Sequence, residues 1–199
     1  MAATEAAAHP LGPRFRDALS VALVLHGAQV KKGTSVPYLA HLLAVTALVL
    51  EHGGDEDHAV AALLHDAIED AGTDVRPLIA RFGSRVAGII KGCTDTDVQP
   101  KPPWRARKEA YLAHLAAAPP DVVLVAMADK LANVRSILAD HRAIGDRVFE
   151  RFSGRKDGTL WYYRAIVNVC AGKEPASLCR ELAGAVEELE ARAGGGPVE

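Results

Sequence analysis

From Phe15 to about residue 193 the apolar residues of this chain recur three and four positions apart. Nowhere do Val, Ile, Thr and aromatic residues alternate with polar ones over the length of a strand. That period predicts an all-α fold, because residues i, i+3, i+4 and i+7 share one face of a helix. With 199 residues, 49% of them hydrophobic, the chain is long enough to bury one sizeable core. The expectation is a compact bundle of about nine or ten helices in a single domain.

Punctuation places the elements. Phe15, Leu19, Ala22, Val24 and Leu25 put a first helix over 14–29. The polar stretch Lys31–Ser35 breaks the pattern, and Pro37 sits where the first turn of a helix accepts proline. A second helix then runs to Gly53-Gly54. Asp55 is a candidate N-cap for a third, running through Asp70. Thr73 or Asp74 caps a short helix to about Phe82, and Ser84 opens another to about Gly92. Residues 94–103 hold three prolines and no period, which marks a long loop, and such loops are often functional. Helices are expected at about 104–117, 121–137, 141–151, 158–171 and 175–193. Residues 1–13 read as a disordered tail, 14–193 as the domain and 194–199 as a frayed end.

Composition removes several function classes. A formal net charge of −2 argues against a broad nucleic-acid or membrane surface. No apolar run approaches a membrane span, and Met1–Pro13 lacks the basic start and apolar core of a signal peptide. The cysteines, Cys93, Cys170 and Cys179, are scattered and form no CxxC pair. A reduced, cytoplasmic setting is therefore expected, with neither a disulfide framework nor a thiolate zinc site.

The chemistry concentrates in Ala61-Ala62-Leu63-Leu64-His65-Asp66-Ala67-Ile68-Glu69-Asp70, an apolar segment that runs directly into four ionisable side chains. His65 and Glu69 are one helical turn apart, as are Asp66 and Asp70. An apolar segment carries such a cluster when it is paired or holds a metal. Imidazole with carboxylate suits Mn, Fe, Zn or Co. His41 lies in the apolar run Pro37–Leu43, where a lone histidine would be a hydrogen-bonded core residue. Asp129 closes the apolar run Val122–Ala128, and its bland partner would be Lys130 or Arg135. A metal shared by His41, His65, Asp66 and Asp129 would satisfy all four together.

The order His, His-Asp, Asp resembles the HD phosphohydrolase superfamily. The words His26–Gly33, Pro37–His41, Ala62–Asp70, Phe82-Gly83 and Ala128–Arg135 resemble the hydrolase domain of RelA/SpoT proteins, over about residues 14–170. That resemblance implies removal of the 3′-pyrophosphate from the alarmone (p)ppGpp, as in the small stand-alone alarmone hydrolases. It implies Mn²⁺, or another divalent transition metal, on His41, His65, Asp66 and Asp129, with Glu69 and Asp70 serving the chemistry. Asn133, one turn after Asp129, is placed to bond a phosphate or ribose oxygen. Lys31, Lys32, Lys130 and Arg135 are candidates for the nucleotide's phosphates. The implied partner is a small nucleotide, with no nucleic acid and no membrane. The sequence departs from the family at Leu42, where a proline usually follows the first ligand histidine. Two alternatives stay open: an HD phosphatase acting on another nucleotide, such as NADPH or a nucleoside phosphate, and a nucleotide-binding protein without turnover.

Overall fold

The computed structural model describes residues 11–194 apart from Gly72 and Gln99. Among them are ten α-helices, two 3₁₀ segments (Thr73–Val75 and Gly145–Arg151) and no β-strand. The helices are α1 (Pro13–His26), α2 (Leu39–Glu51), α3 (Glu56–Leu64), α4 (Ala67–Ala71), α5 (Arg76–Ala80), α6 (Ser84–Cys93), α7 (Trp104–Ala116), α8 (Pro120–Ile144), α9 (Arg155–Cys170) and α10 (Ala176–Gly194). No described helix is long and apolar enough to cross a membrane. All three cysteines are free.

The middle of the bundle is α3. Ala59 to Leu64 are all fully buried, so the helix is apolar all round, which only a central position accommodates. Asp55 starts it with a capping box: its carboxylate accepts from the His58 N–H, and His58 Nδ1 accepts from the Asp55 N–H. Around α3 pack α1, α2, α6 and α8. The 25-residue α8 forms the long wall, with α2 and α6 on one side and α10 behind.

Four boundaries differ from the sequence pattern. The first helix stops at His26; residues 27–38 fold back as a loop closed by an antiparallel bridge between Val30 and Pro37. The third helix does not continue through Asp70. It breaks at His65-Asp66 because His65 Nδ1 takes the Ala62 carbonyl at 2.8 Å, the acceptor that the Asp66 N–H would need in an unbroken helix. The two helices expected at 121–137 and 141–151 are one helix followed by a 3₁₀ segment, since no breaker precedes Gly145, whose φ is +61°. Helix α9 begins at Arg155 rather than 158. Of the expected tail, residues 1–10 lie outside the described residues, as do 195–199; Pro13 opens α1, and the Gly12 N–H donates to Glu56 Oε1 at 2.6 Å.

Candidate metal centre and cleft

Three elements bring the four proposed ligands together. His41 lies near the start of α2, His65 and Asp66 at the break after α3, and Asp129 midway along α8. His65 Nε2 is 3.1 Å from Asp66 Oδ2 and 3.6 Å from Asp129 Oδ1. His41 Nε2 is 3.3 Å from Asp129 Oδ1 and 3.7 Å from Asp66 Oδ2. Donors about 2.1 Å from one transition-metal ion lie roughly 3–4 Å from one another, so His41, His65 and Asp66 fit a divalent cation, with Asp129 beside both imidazoles. His41, His65 and Asp66 each offer a donor atom within 4.8 Å of the others, and Asp129 joins through the two imidazoles.

The surroundings argue for the same fit. His65 Nε2 is buried and has no hydrogen-bond partner among the described residues, while its Nδ1 is held by the Ala62 carbonyl. A metal-ligating histidine is held in this way, its other nitrogen tied to backbone. Burial disfavours a charged His65, but Asp66 and Asp129 outweigh it and push the imidazole well up. The cluster thus calls for positive charge between its two carboxylates. Tyr38, one turn before His41 with ring centroids 5.3 Å apart, donates its hydroxyl to Asp66 Oδ2. Burial and the Asp66 charge push the Tyr38 phenol far up, so it stays a donor.

Asp129 does pair with Lys130, whose Nζ is 2.5 Å from Oδ2, and it also accepts from Asn133 Nδ2 at 2.6 Å. Burial opposes ionisation there, but Lys130 and the two histidines hold the carboxyl well below the usual range. The bland partner and the ligand geometry therefore coexist in one residue, each using a different oxygen for its closest contact. Leu42 is fully buried and simply continues α2, so the missing proline leaves His41 in the cluster.

Glu69 and Asp70 follow on α4. Burial and the nearby Asp66 charge raise both carboxyls above their ordinary range. Glu69 Oε1 accepts from the Asp95 N–H at 2.6 Å, and Asp70 Oδ2 faces His26 Nδ1 at 3.6 Å.

Beside His41 two adjoining cavities, about 440 Å³ and 150 Å³, share Lys32, Tyr38, Asn133, Phe152 and Tyr163 and so form one cleft. Glu69 opens on the larger part and His41 on the smaller. Of the substrate candidates, Lys32, Lys130 and Asn133 line the larger part; Lys31, which donates to Ser136 Oγ, lines the smaller. Arg135 is not among them. It lies on the opposite face of α8, half-exposed, paired with Glu181 of α10 at 2.6 Å. The cleft adds residues to which the sequence assigned no role: Lys101, Trp104, Arg107 and Lys108, with Asp95 beneath them. The signal available was the basic run Arg105–Lys108 directly after the proline-rich loop. Tyr163 faces the cleft, whereas Arg164 turns outward to Glu190.

Known proteins share this fold. A metazoan ortholog of SpoT, described as hydrolysing ppGpp, superposes with a TM-score of 0.77 at 23% identity over 92% of this chain and 98% of that one, which shows a common fold. The guanosine-3′,5′-bis(diphosphate) 3′-pyrophosphohydrolase MESH1 of Xenopus tropicalis is 35% identical over 124 residues, 61% of this chain and 68% of that protein. The protein of the same activity name from Aquifex aeolicus is 36% identical over 112 residues, but this chain spans only 16% of its length. The HD domain family matches residues 18–158, a stretch that contains His41, His65-Asp66 and Asp129, and the chain belongs to that family.

Proposed function

We propose that this chain is a metal-dependent phosphohydrolase that removes the 3′-pyrophosphate of guanosine 3′,5′-bis(diphosphate) and its pentaphosphate, giving GDP or GTP and pyrophosphate. The observation that carries the reading is a His/Asp cluster, with one buried nitrogen unpartnered, whose His41 opens on a cleft lined by Lys32, Lys101, Arg107, Lys108 and Lys130. The names of the relatives supply the substrate class.

In this reading His41, His65, Asp66 and Asp129 would hold Mn²⁺. The chemistry such a cation supplies is Lewis acidity toward phosphate oxygens and water. The chain's own residues do the rest. Tyr38 and Asn133 hold the two carboxylates in place. The cleft's cations draw in a substrate that carries two diphosphates and offset its charge. Glu69 and Asp70, with carboxyls raised by burial, are suited to take a proton from the attacking water and to return one to the ribose 3′ oxygen as its bond to phosphorus breaks.

The test is pyrophosphate release from ppGpp by purified protein with Mn²⁺, beside NADPH and GTP. Mn²⁺-dependent release from ppGpp is expected. Phosphate release from another nucleotide alone would move the substrate. Metal binding with no turnover of any would make the chain a nucleotide-binding protein.

A further inference from the structure

Glu69 sits on a helix of five residues, too short to fix a side chain by helical packing alone. What meets its carboxylate is a backbone group, the Asp95 N–H. The direction of that amide is set from both sides. Behind it, the Thr94 N–H and hydroxyl both reach the Ile90 carbonyl on α6, at 3.1 and 2.9 Å. Ahead of it, the Asp95 carboxylate crosses to α7, where Oδ2 accepts from Lys108 Nζ at 3.1 Å and from Arg107.

The Asp95 side chain is only 7% exposed, and its Oδ1 is buried with no partner among the described residues. A second buried carboxylate close to Glu69, with one oxygen unsatisfied, costs free energy. The ion pairs to Arg107 and Lys108 satisfy Oδ2 and leave Oδ1 bare, so a buried carboxylate stands beside Glu69 with only half of its acceptors used.

We propose that Asp95 is a positioning residue for Glu69. Its ion pairs to α7 fix the loop, so that its own amide aims the Glu69 carboxylate into the cleft. Arg107 and Lys108 line that same cleft. Substrate phosphates and the Asp95 carboxylate therefore face the same two cations, which ties order in the loop to the charge in the cleft. The proposal rests on the phosphohydrolase reading above.

Steady-state kinetics of the metal-loaded full chain test it. Asp95→Ala is expected to lower kcat roughly ten- to a hundredfold, with KM within about threefold and metal content unchanged. Asp95→Asn, which keeps the shape and one oxygen for Lys108, recovers part of that loss. Adding Asp95→Ala to Glu69→Gln should cost less than about twofold more, because one acts through the other. A full, additive loss in the double variant would overturn the proposal, as would a kcat that falls only in step with metal content or folded fraction. A second measurement needs no substrate. Exchange of the Asp95 amide hydrogen should be slow in the wild type and at least about tenfold faster in Glu69→Ala and in the Arg107→Ala, Lys108→Ala double variant. That pattern without turnover of any nucleotide sinks the activity reading and upholds the Asp95–Glu69 anchor. Unchanged exchange overturns the anchor even if ppGpp is hydrolysed.

Discussion

His65 Nδ1 donates to the Ala62 carbonyl 2.8 Å away, and that bond both ends α3 and turns Nε2 toward Asp66 and Asp129. A carbonyl only accepts, so the proton sits on Nδ1. In an unbroken helix His65 and Asp66 would diverge by about 100°. The break lets two consecutive side chains reach one point.

His65→Ala or Asp66→Ala should therefore abolish metal binding and activity together. Metal analysis of the purified variants should fall from about one ion per chain to near none. A variant that kept its metal would remove these residues from the ligand set.

Tyr38→Phe deletes only the hydroxyl that holds Asp66. The fold should be unchanged and metal affinity should fall roughly ten- to a hundredfold. Calorimetric titration of the metal-free protein with Mn²⁺ measures this directly.

Glu69→Ala and Asp70→Ala should keep the metal and slow turnover roughly a hundredfold each, as for lost proton-transfer groups. Rates measured at matched metal content separate this outcome from loss of the ion.

Acid stability should depend on Arg85, which bridges Asp55 and Asp121 at 2.5 and 2.8 Å. Burial pushes Asp55 up, but Arg85 and His58 outweigh it and hold the carboxyl at about 2, below its ordinary 3.8. A depressed carboxyl stabilises the fold above its ordinary pKa, and that contribution is lost as pH falls from 3.8 through about 2. Arg85→Met should thus be less stable than wild type at pH 6, with the gap closing as the solution is acidified. Both groups are partly exposed, so added salt should narrow the gap too. Urea midpoints at several pH values, compared between the two proteins, decide the matter.

Gly92→Ala should destabilise the bundle by about 1–3 kcal/mol. A β-carbon there would come within 2.5 Å of Val122 Cγ2, where α6 crosses α8. Thermal unfolding of the variant, with metal content measured alongside, reads the cost.

The helices marked by glycine, proline or a capping aspartate were legible in the sequence, because those residues act locally. The break at His65 was not, since one side chain's bond to its own helix makes it. The structure brings together all four ligand candidates, which the sequence carries as an ordered set of His and Asp in apolar runs. Arg135 failed for a spatial reason. It lies six residues after Asp129, roughly 240° further around the helix, and its partner Glu181 is on α10. Arg107 and Lys108 carried no expectation from the sequence, and only packing shows that they turn inward to Asp95.

The backing of α8 has a consequence for biosynthesis. Leu178, Leu182, Val186 and Leu189 of α10 are buried, and α10 packs along the helix that carries Asp129. On the ribosome every proposed ligand, from His41 to Asp129, is made well before residues 176–194 emerge. Until they do, α8 keeps an apolar flank in water.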